Sequence, residues 1–205
     1  MSLFYQHNIN ETTKLAVWKI EEQEDFFLKY VPLQKEITHP HKRLQHLAGR
    51  YLLQNLFPDF PIHLIQVADT RKPYLKSESH HFSISHCGDY AAVIVSTERR
   101  VGIDIELHTE RIFTIMHKFL NEHELIMEQG LGHIYPTIVW SCKEAMYKWY
   151  SKGEIDFQEH LQLKNITPES SDSGLVKAMV NREEPVQLDL LYRKWGNLVL
   201  TWVYM

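Results

Sequence analysis

The sequence has few of the features that mark secreted, zinc-binding or membrane-spanning proteins. Only two cysteines occur, Cys87 and Cys142, which is too few for a disulfide scaffold or a structural zinc site. No run approaches the roughly 18 apolar residues that a membrane helix requires. The first residues also lack the basic start and long apolar stretch of a signal peptide. These absences predict a soluble, cytoplasmic protein that does not act at a membrane.

An excess of charge of one sign is also missing. Lys and Arg number 22 against 26 Asp and Glu, which gives a formal net charge of −4 with His neutral. Without a basic field over the whole chain, we expect no nucleic-acid partner. What the chain does have is a hydrophobic content of 44% over 205 residues. That is enough to build one sizeable core or two small, closely packed halves.

The hydrophobic pattern predicts helices and strands in mixed order. The clearest helix is 41–57, where apolar residues recur at the spacing of one helix face. Further helices are predicted between about Arg111 and Gly153, followed by a strand hairpin near the carboxy end. Strand-like runs lie at 14–20, 62–68, 80–86, 90–96 and 101–107. We therefore expect the α+β class, with mainly antiparallel strands.

Two carboxylates lie on one face of the predicted strand "VGIDIEL" (101–107). Side chains alternate in an extended chain, so Asp104 and Glu106 point the same way, with Cα atoms roughly 6–7 Å apart. Like charges raise each other's pKa, so a nearby cation would make the pair tolerable. Hard oxygen ligands favour Mg²⁺ or Mn²⁺ over zinc. For a bare D-x-E pattern, however, a solvated strand face is the commoner explanation.

The predicted helix 136–151 offers a third carboxylate. In "WSCKEAMYK" (140–148), Glu144 and Lys148 are four residues apart and share a face. One interpretation is a surface ion pair that only supports the helix. The other makes Glu144 a metal ligand or a base, and makes Lys143 and Lys148 phosphate contacts. Helix geometry alone leaves both interpretations open.

The segment "FSISHCGDY" (82–90) carries a third polar group. Ser85 and His86 are adjacent, and adjacent strand residues face opposite ways, so they do not make a Ser–His dyad by themselves. A phosphate contact or a capped turn before Gly88 fits the pattern better.

Taken in order, these motifs resemble those of the 4′-phosphopantetheinyl transferases of the Sfp type. That family carries a basic-Pro stretch, F-(N/S)-I-S-H, G-(I/V)-D-(I/V)-E and W-x-x-K-E-(A/S)-x-x-K, with an F-x-x-x-x-E stretch between the last two. The matching segments here are "RKP" (71–73), "FSISH" (82–86), "GIDIE" (102–106), "KFLNEHEL" (118–125) and "WSCKEAMYK" (140–148). The resemblance spans roughly residues 40–150, and motifs in the right order are far more specific together than any one alone.

The resemblance implies an enzyme that moves the 4′-phosphopantetheine arm of coenzyme A onto a serine of an apo acyl or peptidyl carrier protein. It implies that Asp104, Glu106 and Glu144 hold Mg²⁺, or Mn²⁺, at the coenzyme A diphosphate. Glu144 could accept the serine proton directly or through a metal-bound water, and Lys148 could stabilise the departing phosphate. The residues implied to bind coenzyme A are Arg71, Lys72, Ser85, His86, Lys143 and Lys148, with Arg43 and Arg50 as candidates for the arginine of the family's H-R-x-L-x-G pattern.

The same resemblance implies the 4′-phosphopantetheinyl transferase fold: two similar α+β halves related by a pseudo-twofold axis, with the active site in the cleft between them. The halves would be residues 1–107 and 108–205, and two halves in one chain favour a monomer. Two other functions stay open. One is a different Mg²⁺-dependent enzyme acting on phosphate esters, such as a nuclease or phosphohydrolase, and the other is a non-catalytic module that binds coenzyme A or a carrier protein. The carrier protein would serve fatty acid, polyketide or peptide synthesis.

Overall fold

The computed structural model describes residues 2–33, 36–128 and 130–205. By its internal contacts the chain divides into two compact units, Met1–Val101 and Gly102–Met205. This division falls at the start of the strand Val101–Leu107, whereas the predicted boundary falls at its end. The boundary after 107, the pseudo-twofold relation and the cleft stay predictions.

The first unit packs a long helix on an antiparallel sheet. Its elements are β1 (Leu3–Asn8), β2 (Thr13–Lys19), α1 (Glu24–Leu28), α2 (Pro40–Leu56), β3 (Ile65–Val67), β4 (Pro73–Leu75), β5 (His81–Cys87) and β6 (Tyr90–Ser96). The sheet has the strand order β1-β2-β6-β5, and its neighbouring strands are antiparallel. Strands β3 and β4 form a separate antiparallel pair.

Helix α2 has the hydrophobic face that its spacing predicts. Pro40 occupies the first turn, where its missing N–H costs little, and the His39 ring accepts a hydrogen bond from the Lys42 N–H at the helix start. The buried side chains of α2 belong to one apolar cluster with those of the sheet, including Leu47, Leu52, Leu53, Trp18, Val93 and Val95. The helix predicted at 41–57 is confirmed as Pro40–Leu56.

The second unit places a buried helix on a five-stranded sheet. Its elements are β7 (Val101–Leu107), α3 (Arg111–Ile115), α4 (Glu122–Ile126), α5 (Tyr135–Tyr150), β8 (Leu161–Pro168), β9 (Ser173–Val180), β10 (Val186–Trp195) and β11 (Leu198–Tyr204). The strand order is β7-β11-β10-β9-β8. Strands β10 and β11 form the predicted hairpin near the carboxy end. The α+β class expected from the sequence is therefore confirmed.

The longest helices carry polar side chains among their apolar ones. Helix α2 spans 17 residues and α5 spans 16, and charged residues such as Lys42 and Lys148 interrupt both. Among the residues described, no helix combines the length and the apolar character needed to cross a membrane.

A glycine in β7 lets α5 approach the strand closely. A Cβ atom at Gly102 would lie 2.1 Å from the backbone oxygen of Ala145 and 3.0 Å from the Cβ of Trp149. Only a residue without a side chain allows the two backbones to come this close. Asp104 and Glu106 follow Gly102 at intervals of two residues, so they lie on the same face of the strand, toward the same helix.

Replacing this glycine should destabilise the protein. We expect Gly102→Ala to lower the free energy of unfolding by about 1–3 kcal/mol or more, because the added methyl group meets backbone atoms that cannot rotate aside. Urea denaturation measures the difference.

Gly49→Ala is the matched control. Its Cβ would meet only the side chain of Ile84, at 2.9 Å, and that side chain can shift. Alanine also favours the helix by about 1 kcal/mol, so this variant should lose little or no stability. Equal unfolding curves for Gly102→Ala and the parent protein would show that α5 does not need the glycine.

Candidate active site

Strand β7 and helix α5 run in opposite directions where their polar side chains meet. Asp104 is bonded to Lys148, near the end of the helix, whereas Glu106 is bonded to Trp140, two turns earlier. The alternation of the strand and the pitch of the helix thus bring each β7 carboxylate to a different part of the same helix. Both carboxylates face α5.

Lys148 makes its ion pair across to the strand. Its Nζ donates to Oδ1 of Asp104 at 2.7 Å, and the Asp104 side chain is only 3% exposed while that of Lys148 is 22% exposed. A charge-assisted bond of this length is among the stronger polar contacts in proteins. The ion pair with Asp104 thus joins the helix to the strand, and the Lys148 ammonium also acts electrostatically on Glu144.

Glu144 lies within electrostatic range of both β7 carboxylates. Burial raises the pKa of Glu144 to about 7, the negative charges of Asp104 and Glu106 act in the same direction, and the Lys148 ammonium opposes them. Asp104 and Glu106 therefore both act electrostatically on Glu144.

Glu106 has its own polar partner. Its Oε1 accepts a hydrogen bond from Nε1 of Trp140 at 3.2 Å. Both residues border a small pocket of about 210 Å³ that Thr109, Arg111 and Thr137 also line. Glu106 is partly exposed, whereas Asp104 is buried, so the carboxylate group extends from the interior toward this opening.

The three carboxylates have the chemistry of a Mg²⁺ site. In the described part of the chain, no three or more His, Cys, Asp and Glu side chains are gathered closely enough to form a ready-made metal site. The donors are nevertheless hard oxygens, which Mg²⁺ and Mn²⁺ prefer. When all three carboxylates are ionised, the Lys148 ammonium leaves an excess of negative charge that a divalent cation would neutralise. The donor set fits the ion in ligand type and in charge.

Lys143 turns away from this group into the interior. Its side chain is fully buried, and its Nζ donates to the Phe119 and Phe157 backbone oxygens at 2.6 and 2.7 Å and to Oε2 of Glu124 at 2.6 Å. Adjacent helix residues are about 100° apart around the axis, which explains why Lys143 and Glu144 face different surroundings. With three acceptors already bonded, the ammonium is not available for the predicted coenzyme A contact, and we remove Lys143 from the candidate site.

Glu124 belongs to the F-x-x-x-x-E stretch, but the sequence predicted no function for it. It is fully buried and accepts hydrogen bonds from Lys143, from the Leu163 N–H and from the Asn121 N–H, the last as part of the capping box that begins α4. The F-x-x-x-x-E stretch was the available signal, because it pairs Phe119 with Glu124 at a fixed spacing. Burial still lowers the pKa of Lys143, although Glu124 acts against that shift.

A second candidate site lies in the first unit, in a pocket of about 1050 Å³. Its polar lining is largely cationic or titratable, with one acid among the lining residues: Glu36, His39, Lys42, Gln45, His46, Arg50, Arg71 and His86. A cavity with this lining suits an anionic ligand.

Arg50 is the most buried cation in this lining. The residue is 7% exposed, and its Nε has no hydrogen-bond partner in the part of the chain that the structure describes. Its Nη1 reaches the backbone oxygen of His46 at 3.4 Å. Burial lowers the pKa of Arg50 to about 10. A guanidinium buried in this way favours a bound anion that can accept its hydrogen bonds.

The pocket includes three of the predicted coenzyme A residues. Arg50, Arg71 and His86 line it, and Arg71 adopts the left-handed conformation at φ 64° in the turn between β3 and β4. Lys42 and His46 were not predicted. Their signal was the four-residue spacing with Arg50, which places all three on one face of α2.

Three other predicted residues are not among those that line the pocket. Nε of Arg43 donates to Glu24 at 2.7 Å and its Nη1 to the Ile37 backbone oxygen at 2.9 Å, so α1 and the following loop hold this side chain. Ser85 is buried in β5 beside the lining residues, and Lys72 belongs to the same turn as Arg71. The structure therefore favours Arg50 over Arg43 as the arginine that faces a ligand.

The chain is similar in sequence to proteins of one superfamily. The family model of the 4′-phosphopantetheinyl transferase superfamily matches residues 100–202, which include β7 and all of α5. Enterobactin synthase component D of Escherichia coli (strain K12) is 30% identical over 143 residues, covering 64% of this chain and 68% of that protein. The 4′-phosphopantetheinyl transferase gsp of Aneurinibacillus migulanus is 26% identical over 173 residues, covering 82% of this chain and 69% of that protein.

These matches agree with the motifs read from the sequence. The family model covers half of the chain and contains Asp104, Glu106 and Glu144. The longer match, with the Aneurinibacillus protein, extends well beyond that region. The chain belongs to the 4′-phosphopantetheinyl transferase superfamily and is a transferase of that kind.

Proposed function

We propose that this enzyme transfers the 4′-phosphopantetheine arm of coenzyme A to a serine of an apo carrier protein in a Mg²⁺-dependent reaction that releases adenosine 3′,5′-bisphosphate. The observation that carries the proposal is that Asp104 and Glu106 of β7 act electrostatically on the partly buried Glu144 of α5, whose pKa is raised to about 7. The resemblance to transferases named for this reaction supports the same substrate class. The cytoplasmic location and the monomeric state stay predictions.

Asp104, Glu106 and Glu144 would hold Mg²⁺, and Mn²⁺ would suit the same oxygen ligands. Bound there, the ion would neutralise the charge of the coenzyme A diphosphate, which otherwise repels an incoming nucleophile. The residues themselves supply a preorganised site, because β7 and α5 are rigid elements and Lys148 fixes Asp104 at 2.7 Å.

Glu144 has the properties of the general base. Without a metal ion, burial raises the pKa of Glu144 to about 7. A divalent cation held by the same carboxylate would lower that pKa and keep the group ionised, which is the state that accepts a proton. In the proposed reaction the serine Oγ forms a bond to the phosphorus that carries the pantetheine arm, and the serine proton passes to Glu144. The bond from that phosphorus to the oxygen of the departing adenosine bisphosphate breaks, and the Lys148 ammonium stabilises the new negative charge.

The pocket of the first unit would take the phosphorylated nucleoside end of coenzyme A. Its volume of about 1050 Å³ is at the upper end of the roughly 300–1,000 Å³ that small-molecule pockets occupy. Arg50 and Arg71 would contact phosphate oxygens, Arg50 because its buried guanidinium needs an acceptor and Arg71 because the strained turn presents it at the rim. His86, Lys42 and His46 would add further donors.

The reaction and its base can be tested together. Incubation of the protein with coenzyme A, Mg²⁺ and a panel of apo carrier proteins should convert one or more to the holo form, detected by intact mass. We expect Glu144→Gln to lower the rate at least about 100-fold, because proton transfer by a placed base contributes that much, while coenzyme A binding measured by calorimetry is kept.

Glu154→Gln is the control, because Glu154 is an exposed carboxylate paired with Arg182. This variant should transfer at the parent rate. Full activity of Glu144→Gln would remove Glu144 from the role of base. Release of coenzyme A fragments without any carrier protein would instead favour the hydrolase.

The raised pKa of Glu144 also predicts a pH dependence of stability in the absence of divalent metal. The ordinary pKa of this group is 4.5 and the folded value is about 7. Between these values the folded protein holds a proton that the unfolded chain has lost, so the free energy of unfolding should fall as the pH rises from about 4.5 to about 7. Urea denaturation in EDTA at a series of pH values measures this fall.

Glu144→Gln cannot titrate at this position and serves as the reference. As the pH rises from about 4.5 to about 7, the free energy of unfolding of the parent protein should fall relative to that of the variant. Parallel pH profiles for the two proteins would contradict the assignment.

Arg50 gives opposite expectations for binding and for stability. Arg50→Met should weaken coenzyme A binding about 10- to 100-fold, because charge-assisted hydrogen bonds to phosphate are lost. The ligand-free variant should be as stable as the parent or more so, because a buried charge is replaced by an apolar side chain. Calorimetry and urea denaturation measure the two effects, with Arg99→Met, an exposed arginine of the same unit, as the control. Unchanged coenzyme A affinity in Arg50→Met would exclude this contact.

A further inference from the structure

The indole of Trp140 is held between the rings of two phenylalanines. Phe157 lies nearly parallel to it, with ring centroids 5.4 Å apart and an angle of 23° between the planes, and Phe119 is tilted against it at 5.1 Å. Offset stacked and tilted ring pairs of this kind resist rotation of the side chain between them. The direction of the Trp140 Nε1–H bond is therefore set by its neighbours.

The same two phenylalanines are fixed at their backbones by Lys143. The ammonium donates to the backbone oxygen of Phe119 at 2.6 Å and to that of Phe157 at 2.7 Å. Its third partner is Oε2 of Glu124, at 2.6 Å. The Lys143 and Glu124 side chains are fully buried, so solvent does not compete with the bond between them. The buried ion pair thus anchors both segments of chain that carry the rings around Trp140.

The packing around Trp140 directs its indole N–H toward Glu106. Nε1 of Trp140 donates to Oε1 of Glu106 at 3.2 Å. A glutamate side chain loses considerable rotamer freedom when it becomes a ligand. A donor that already holds one of its oxygens removes part of that cost before the ligand arrives.

We propose that Trp140 is a positioning residue, which uses its indole N–H to orient the Glu106 carboxylate for a divalent cation, and that the Lys143–Glu124 pair supports it through Phe119 and Phe157. This inference rests on the proposed metal site. It assigns the buried lysine of α5 a purpose that is different from a substrate contact.

A second tryptophan on the same helix, Trp149, differs from Trp140 in the hydrogen bonding of its indole nitrogen. Trp149 is 7% exposed, and within the described residues its Nε1 has no hydrogen-bond partner. Its side chain belongs to the apolar cluster of the second unit. If the role of Trp140 were also only to fill space, a phenylalanine in its place would keep that role.

The test replaces the indole by a ring without the donor. Trp140→Phe keeps an aromatic side chain between Phe119 and Phe157 and removes the N–H together with part of the indole ring, a loss of volume that Trp149→Phe shares. Binding of Mn²⁺ alone is measured by the paramagnetic resonance signal of the free ion, without coenzyme A or carrier protein. We expect the dissociation constant to rise about tenfold, at the low end of the range for such supporting partners because the bond is long.

Two further measurements separate positioning from a general structural effect. Trp149→Phe, on the same helix, should bind Mn²⁺ like the parent protein. The thermal midpoint of Trp140→Phe in EDTA should stay close to that of the parent. In the transfer assay, the Mg²⁺ concentration for half-maximal rate should rise in Trp140→Phe, and excess Mg²⁺ should restore most of the rate.

The outcomes distinguish this inference from the function on which it rests. If the parent protein does not bind Mn²⁺, the proposed metal site is wrong. If the parent binds and Trp140→Phe binds equally well, the metal site stands and the positioning role is overturned. Should Trp140→Phe fail to fold, Phe157→Leu takes its place, since it loosens the stack and keeps the N–H; unchanged Mn²⁺ binding in that variant also overturns the proposal.

Discussion

The close approach of α5 to β7 at Gly102 is the constraint on which the candidate active site depends. A side chain at this position would collide with the backbone of the helix at Ala145, so its absence sets the distance between the two elements. That distance in turn allows the Lys148 ammonium to reach Asp104 and the Trp140 indole to reach Glu106. A single missing Cβ therefore determines whether residues far apart in sequence form one polar group.

Charged side chains of the second unit occupy two contrasting environments. Lys143 and Glu124 are fully buried, and each has several hydrogen-bond partners, so the pair is rigid and chemically silent. Glu144 lies one residue along the helix from Lys143, yet burial and neighbouring carboxylates raise its pKa to about 7. An ion pair whose hydrogen bonds are all made supports the fold. A carboxylate whose ionised form is disfavoured by its surroundings can instead gain free energy when a cation binds. The two neighbours on α5 have these different roles because adjacent residues point about 100° apart around the helix axis.

The first unit contains the complementary case. Arg50 is a cation buried in a pocket lined by other donors, with one carboxylate among the lining residues. An excess of negative charge near Glu144 attracts a cation, and an excess of positive charge near Arg50 attracts an anion. Each unit therefore has a charge imbalance of its own, negative around Glu144 and positive around Arg50.

Much of this could be predicted from the sequence, because it depends on local periodicity. Alternation in β7 placed Asp104 and Glu106 on one face, helical spacing predicted α2, and the order of motifs identified the superfamily. Only the tertiary structure decided where each of two similar residues points. Lys143 points inward while Lys148 crosses to β7, and Arg43 is held by Glu24 from α1 while Arg50 faces the pocket. Spacing determines the direction of a side chain relative to its own backbone, but its partners come from elements distant in sequence, and only packing determines which of them are near.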